Sequence, residues 1–240
     1  MKGNTDMSNK CKLLYEDGTT VLYQGDCRDL EIKPGSIDAI ITGPPYVAGR
    51  AEELDLLGII APKLIDCLVP GGLFVSTNTD LRKGGAIRLR HLDILSAFSN
   101  AGLTLYDYRI WDKEMGHHLY RIAFSHILAF YKGEKPKIRR PLTTDDILIG
   151  KAKTFGKYHD ANSHQVFRKL IEIYSREGDT IYDPFVGSGT LLIEARRLGR
   201  KSIGIELDVE IAELCRKRLV STVGNVGETS AETGAKQLGF

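Results

Sequence analysis

Cysteine is scarce in this chain and never paired by spacing. The four (Cys11, Cys27, Cys67 and Cys215) are scattered, with no Cys-x-x-Cys. That pattern argues against a disulfide framework or a structural zinc site and for reduced, mostly buried thiols. Long apolar runs are missing too: none approaches the ~20 residues that a membrane-spanning helix needs. The polar N-terminus argues against a signal peptide, so a soluble, cytoplasmic protein with no membrane partner is expected. Charge of one sign is also lacking. The 33 Lys and Arg nearly cancel the 31 Asp and Glu, leaving +2, too little for net charge alone to argue for a polyanionic partner. No internal repeat is present.

What remains is the composition of an ordinary globular protein, 42% hydrophobic and 27% charged over 240 residues, long enough to bury a sizeable core in one domain. Two apolar runs around Asp17-Gly18 signal a hairpin. Ile37–Thr42 is a nearly continuous apolar run, as in a strand covered on both faces. Leu54, Leu57, Ile60, Ala61, Leu64, Ile65 and Leu68 recur at helical spacing up to Pro70-Gly71-Gly72, and Leu73–Ser76 returns as a strand. A helix near Leu89–Ala101 and strands at Leu103–Trp111 and Ile122–Tyr131 follow. Residues 132–162 lose periodicity and carry many Lys and Arg, which predicts mobile loops. Helix at Val166–Ser175, strand at Thr180–Asp183, helix at Leu191–Leu198, strand at Ser202–Glu206 and helix at Val209–Val220 then alternate. Such alternation predicts an α/β fold with a mostly parallel sheet and helices on both faces. The Gly/Thr/Ser/Glu-rich stretch 221–240 is expected to be a disordered tail.

Two short segments carry the chemistry. In Asp183-Pro184-Phe185-Val186-Gly187-Ser188-Gly189-Thr190 a strand runs through a glycine turn into a helix. The glycines let the backbone approach a ligand and the helix N-terminus offers free N–H groups. About twenty residues on, Glu206 ends the next strand, where a carboxylate can take ribose hydroxyls. A lone Gly-x-Gly is often only a helix entry; the full series favours a nucleoside cofactor. The second segment, Gly43-Pro44-Pro45-Tyr46, follows the buried strand Ile37–Thr42. It is a rigid turn with an aromatic face able to stack on an extruded base, or a structural Pro-Pro turn with a packed tyrosine.

Both segments resemble motifs of S-adenosylmethionine-dependent amino-methyltransferases acting on nucleic acid. The late one, with Gly204-Ile205-Glu206 behind it, resembles motifs I and II, and the early one resembles motif IV. The order IV before I marks the permuted β-group. The resemblance, covering roughly residues 12–220, implies a Rossmann-like, circularly permuted methyltransferase fold. It implies that Asp183, Phe185, Gly187, Ser188, Gly189 and Thr190 wrap the methionine moiety of S-adenosylmethionine and that Glu206 holds its ribose. It also implies that the Pro44 carbonyl accepts a hydrogen bond from an exocyclic base amine, Pro45 supplies rigidity and Tyr46 stacks. Gly43 departs from the pattern, which has Asp, Asn or Ser, so one acceptor for the amine is missing; such a loss commonly costs about 10²–10³ in rate.

Weaker matches extend the set. Gly25-Asp26 stands where motif III does, making Asp26 a candidate for the cofactor adenine amine or a nearby water, or else a loop aspartate capping a helix. His164-Gln165 stands at motif X beside the methionine end, or is a plain helix start. Arg121–Lys132 resembles the motif VIII strand that lines the target pocket, and His126 within it reads more as a core histidine than as a base. No metal is expected. Arg82, Lys83, Arg88, Arg90 and the run Lys135–Lys157 suit phosphate contacts or a solvated face. The resulting expectation is one methyltransferase domain over 1–220 with a small target-recognition insertion within about 80–161. Its reaction is site-specific methylation of an exocyclic amino nitrogen in DNA, cytosine N4 slightly favoured over adenine N6, in a restriction-modification setting. An RNA base amino-methyltransferase, or a catalytically weakened binding subunit because of Gly43, stands as the alternative. A homodimer or partner protein would offset the small recognition segment.

Overall fold

The alternating apolar runs build one nine-stranded sheet with helices on both faces. The structure is a computed structural model and describes residues 10–44, 50–114, 122–136, 146–151, 153–155, 158–161 and 163–223. Pro45 and Tyr46 of the early loop, Lys137, Arg139, Arg140 and Lys157 of the basic run, and 224–240 of the expected tail lie outside the described residues.

The chain runs β1 (Lys12–Glu16), β2 (Thr20–Gln24), β3 (Ile37–Thr42), α1 (Arg50–Cys67), β4 (Leu68–Asn78), β5 (Leu81–Lys83), β6 (Ala86–Arg88), α2 (Arg90–Asn100), β7 (Leu103–Asp112) and β8 (Phe124–Lys132). It continues with β9 (Ile147–Ile149), β10 (Lys153–Phe155), β11 (Tyr158–Ala161), α3 (His164–Tyr174), β12 (Thr180–Asp183), α4 (Thr190–Arg197), β13 (Lys201–Glu206) and α5 (Val209–Val223). The main sheet has the order β1-β2-β13-β12-β3-β4-β8-β7-β9. Its central strands from β2 to β4 pair in parallel, and β8 is antiparallel to both neighbours. The hairpin expected at Asp17-Gly18 is present. Asp17 Oδ1 accepts from the Thr19 and Thr20 N–H at 3.0 and 2.8 Å, and Gly18 takes the left-handed φ of 82° that the turn needs.

β3 alternates its side chains between two cores. Ile40 faces α1 and α2 with Phe74, Phe98 and Phe130, while Ala39 and Ile41 face α3 and α4 with Val75, Phe167 and Leu191. From β12 the chain crosses through α4 to β13 on one side; from β3 it crosses through α1 to β4 on the other. Strand order therefore reverses between β12 and β3, and a crevice opens at their carboxyl ends.

Two expectations need correction. β4 begins at Leu68 rather than Leu73: Ile37 pairs with Leu68 and Ala39 with Leu73, so Val69–Gly72 bulges out of the ladder, with Gly71 at φ 77°. Residues 132–162 are not all loop. β9 adds to the sheet beside β7, Trp111 Nε1–H donates to the Gly150 carbonyl at 2.7 Å, and β10 pairs with β11. Strands of three or four residues are too short to display a period. The β5–β6 hairpin within the expected insertion escaped notice for the same reason.

Candidate active site

β12 delivers Asp183 to the crevice with its side chain buried. Thr42, the last residue of β3, donates its hydroxyl to Asp183 Oδ1 at 2.6 Å, and the Phe185 N–H donates to the same oxygen at 3.0 Å. Burial pushes the Asp183 carboxyl up to about 7, against the pull of those two hydrogen bonds and with a further push from the Glu206 charge. The Thr42–Asp183 bond joins residues 141 apart in sequence and so fixes Gly43 beside the late loop.

The loop closes on β13. The Val186 N–H donates to the Ile205 carbonyl at 3.1 Å, and the Gly187 N–H to Glu206 Oε2 at 2.9 Å. The Asp208 N–H donates to Glu206 Oε1 at 2.9 Å. Burial raises the Glu206 carboxyl, opposed by these amides. Gly189 caps α4 at φ 85°, and a Cβ there would run into Cys215 Sγ on α5, so only glycine fits. The Thr190 hydroxyl, buried at the helix N-terminus, has no hydrogen-bond partner among the described residues.

A cavity of about 670 Å³ lies over this loop, lined by Gly25–Arg28, Gly43, Leu56, Pro184, Phe185, Gly187, Glu206–Asp208 and Ile211. The volume suits a nucleoside-sized ligand. Apolar walls (Leu56, Phe185, Leu207, Ile211) flank the Glu206 carboxylate, so the residues fit a cofactor carrying a ribose and an apolar base. Asp26 lies in the wall. The Arg28 side chain and backbone N–H both bond to its carboxylate, and the Arg28 hydrogen bond holds that carboxyl below its ordinary value, against burial.

The expected residues do not all reach this wall. Asp183, Ser188, Gly189 and Thr190 support it from beneath. His164 and Gln165 at the start of α3 stand off it, with Gln165 exposed. Both His164 ring nitrogens are engaged, Nδ1 with Glu194 at 2.7 Å and Nε2 with Arg218 at 3.0 Å, and Arg218 in turn donates to the Ser188 carbonyl. Burial would raise the Glu194 carboxyl, but His164, Arg168 and Arg197 hold it down at about 2. Reading the sequence missed Thr42, Arg28, Leu207 and Ile211. Leu207 carried a signal, as an apolar residue directly after the ribose-type acid that stays 65% exposed.

A second group sits farther along the same edge. Asp80 Oδ1 bonds to His91 Nδ1 at 2.8 Å and accepts from the His91 backbone N–H at 3.3 Å, while Oδ2 bonds to His126 Nε2 at 3.1 Å. His126 Nδ1 pairs with the Tyr108 hydroxyl at 2.7 Å. Burial and the neighbouring His91 lower the pKa of His126, partly offset by Asp80. His126 is thus a buried, satisfied histidine. Ligand-type atoms of Asp80, His91 and His126 lie within 4.8 Å of one another. The two rings stack face to face, however, with centroids 3.7 Å apart and planes at 19°. A single ion cannot lie in two nearly parallel ring planes, so the arrangement is a carboxylate clamping two imidazoles. The sequence held no hint of it, because the three residues come from separate elements.

Comparison with known proteins agrees with this geometry. The type II methyltransferase M.BamHI of Bacillus amyloliquefaciens is 26% identical across 82% of this chain and 56% of its own length, so the chain spans about half of that relative. The PvuII DNA methyltransferase (cytosine-N4-specific) superposes with a TM-score of 0.75 at 19% identity, over 90% of this chain and 95% of its own. The M1.HpyAVI–SAM complex superposes with a TM-score of 0.66 at 23% identity, over 83% and 98%. At such identities the two structures attest the fold. Residues 37–217 match the DNA methylase model of the N6/N4 type. With that match running from β3 into α5 and taking in both loops, the chain belongs to the N6/N4 DNA methylase family.

Proposed function

We propose that this chain transfers the methyl group of S-adenosylmethionine to an exocyclic amino nitrogen of a base in DNA. One observation carries the reading. Gly43 of the early loop, Pro184 and Phe185 of the late loop and Glu206 at the end of β13 line the same cavity at the β12/β3 reversal. A ligand seated on the late loop therefore meets a base presented by the early one. S-adenosylmethionine supplies a sulfonium methyl. Glu206 takes the ribose hydroxyls, the apolar walls take the adenine, and the Pro44 carbonyl accepts a hydrogen bond from the target amine and orients its lone pair. Of the two targets, cytosine N4 is preferred to adenine N6, on the resemblance of Leu170–Ser175 to that subgroup. M.BamHI is named as a type II methyltransferase and the PvuII enzyme as a DNA methyltransferase, which supports a site-specific role of the restriction-modification kind.

The test is methyl transfer from labelled cofactor to total DNA and, separately, total RNA, followed by nucleoside digestion. Label in N4-methyl-2′-deoxycytidine or N6-methyl-2′-deoxyadenosine from DNA is expected. Label confined to RNA moves the substrate, and cofactor binding with no label in either pool refutes the enzyme reading.

A further inference from the structure

An amine that attacks a methyl group becomes cationic and must lose a proton. In a site whose first loop residue is glycine, no side chain at that position can accept it. The sheet register brings another acceptor to the same edge. Thr42 pairs with Ser76 and Ser76 with Leu128, while two residues farther along β4 Asn78 pairs with His126. Thr42, from which the early loop departs, and Leu128 are then two strand spacings apart, about 10 Å, with His126 two residues along β8 towards the same edge. By alternation Thr42, Asn78 and His126 share the α1/α2 face with Ile40, Phe74 and Leu128. His91, one turn before Ile94 and two before Phe98, comes from the face of α2 that packs there.

The two imidazoles of the clamp differ in what they have left to offer. His126 uses both nitrogens, on Asp80 and Tyr108. His91 commits Nδ1–H to Asp80, and Nε2 of the neutral ring is then a lone-pair acceptor. A buried carboxylate on Nδ1 fixes that tautomer and stabilises the imidazolium that forms on proton uptake. Among the described residues, the ionisable groups around the clamp include Asp80, His126, Tyr108, Lys113 on Thr79, the buried Arg90 beside His91, and the Arg88–Asp93 pair at the start of α2.

We propose that His91, positioned by Asp80, is the proton acceptor that replaces the side chain missing at Gly43. The inference rests on the methyl-transfer reading above. The amine nitrogen forms its bond to the methyl carbon as the S–C bond breaks and that electron pair passes to sulfur, leaving a neutral thioether. The cationic nitrogen then gives one proton to His91 Nε2, directly or through one water. Asp80 holds the resulting imidazolium until solvent takes the proton.

Single-turnover methyl transfer by wild type, His91→Gln and His91→Gln/Gly43→Asp, across the pH range where an imidazole titrates, tests the proposal. His91→Gln is expected to slow transfer about a hundredfold or more, to leave cofactor affinity by calorimetry within about threefold, and to remove the fall in rate on the acid side. Adding Gly43→Asp is expected to recover about tenfold or more, since a carboxylate at that place supplies the acceptor. A rate within about threefold of wild type in His91→Gln overturns the proposal, as does slowing with the acid limb intact and no recovery from Gly43→Asp. ¹⁵N NMR of the free protein supplies a readout independent of turnover. His91 is expected to carry its proton on Nδ1, and a proton on Nε2 instead overturns the dyad. Wild type that methylates neither DNA nor RNA refutes the activity reading, and the tautomer measurement still decides the dyad by itself.

Discussion

The buried carboxyl of Asp183 makes stability depend on pH in a direction that one substitution isolates. Burial moves this group from 3.8 up to about 7, with the Thr42 and Phe185 hydrogen bonds pulling the other way. A folded-state pKa above the unfolded value means that the native protein binds the proton more tightly. Its stabilising contribution is therefore fully present below about pH 4 and lost as pH rises towards 7. A shift of about three units, at ~1.36 kcal/mol each, sets a ceiling of about 4 kcal/mol. About 3 kcal/mol of that falls between roughly pH 4.5 and pH 8. Asp183→Asn keeps the side-chain size and an oxygen to accept from Thr42 and Phe185 but cannot ionise. Denaturant unfolding of both proteins across that range is expected to show the variant gaining on wild type, by about 3 kcal/mol at the alkaline end relative to the acid end. A difference that stays flat within about 1 kcal/mol would refute the claim that this carboxylate is charged at a cost. The bond from Thr42 would then be that of a hydroxyl donating to an ordinary ionised carboxylate.

Other consequences are equally direct. Glu206→Gln removes the charged acceptor at the cavity wall and is expected to weaken S-adenosylmethionine binding about 10- to 150-fold by calorimetry, leaving the melting temperature of the free protein little changed. Gly189→Ala places a methyl against Cys215 Sγ and forces a left-handed φ on alanine, costing about 2–4 kcal/mol in unfolding free energy. Cys215→Ala in the same chain should recover the steric share and leave the backbone share of about 1–2 kcal/mol, so failure to recover anything would mean that α5 does not pack beneath the loop. Glu194→Gln unpairs His164, Arg168 and Arg197 and is expected to destabilise by about 3 kcal/mol at neutral pH. Because the Glu194 carboxyl is held at about 2 in the fold against 4.5, its contribution is present above about pH 4.5 and lost as pH falls towards 2, and the variant's disadvantage in acid unfolding should shrink over that interval.

The parts of this site that could be read from the chain are those whose signals are local. β12, the glycine turn, α4 and the acid at the end of β13 occupy residues 180–206, and each link restricts its immediate neighbours through backbone geometry. The parts that could not be read are contacts between distant segments. Thr42 and Asp183 are unremarkable until β3 and β12 lie side by side, and Asp80, His91 and His126 come from a loop, a helix and a strand. The same distinction explains why the unusual motif order does not disturb the site. A crevice at a strand-order reversal needs two neighbouring parallel strands whose crossovers leave on opposite faces. β3 with α1 and β12 with α4 meet that need whichever comes first in the chain. The crossover from β3 continues through β4 into β8, and those strands with the loop and helix between them place Asp80, His91 and His126 on the same edge as Gly43. The compensating acceptor proposed for that glycine therefore comes from the segment that follows it directly in the chain, and the Gly43→Asp rescue in His91→Gln tests whether the two belong to one device.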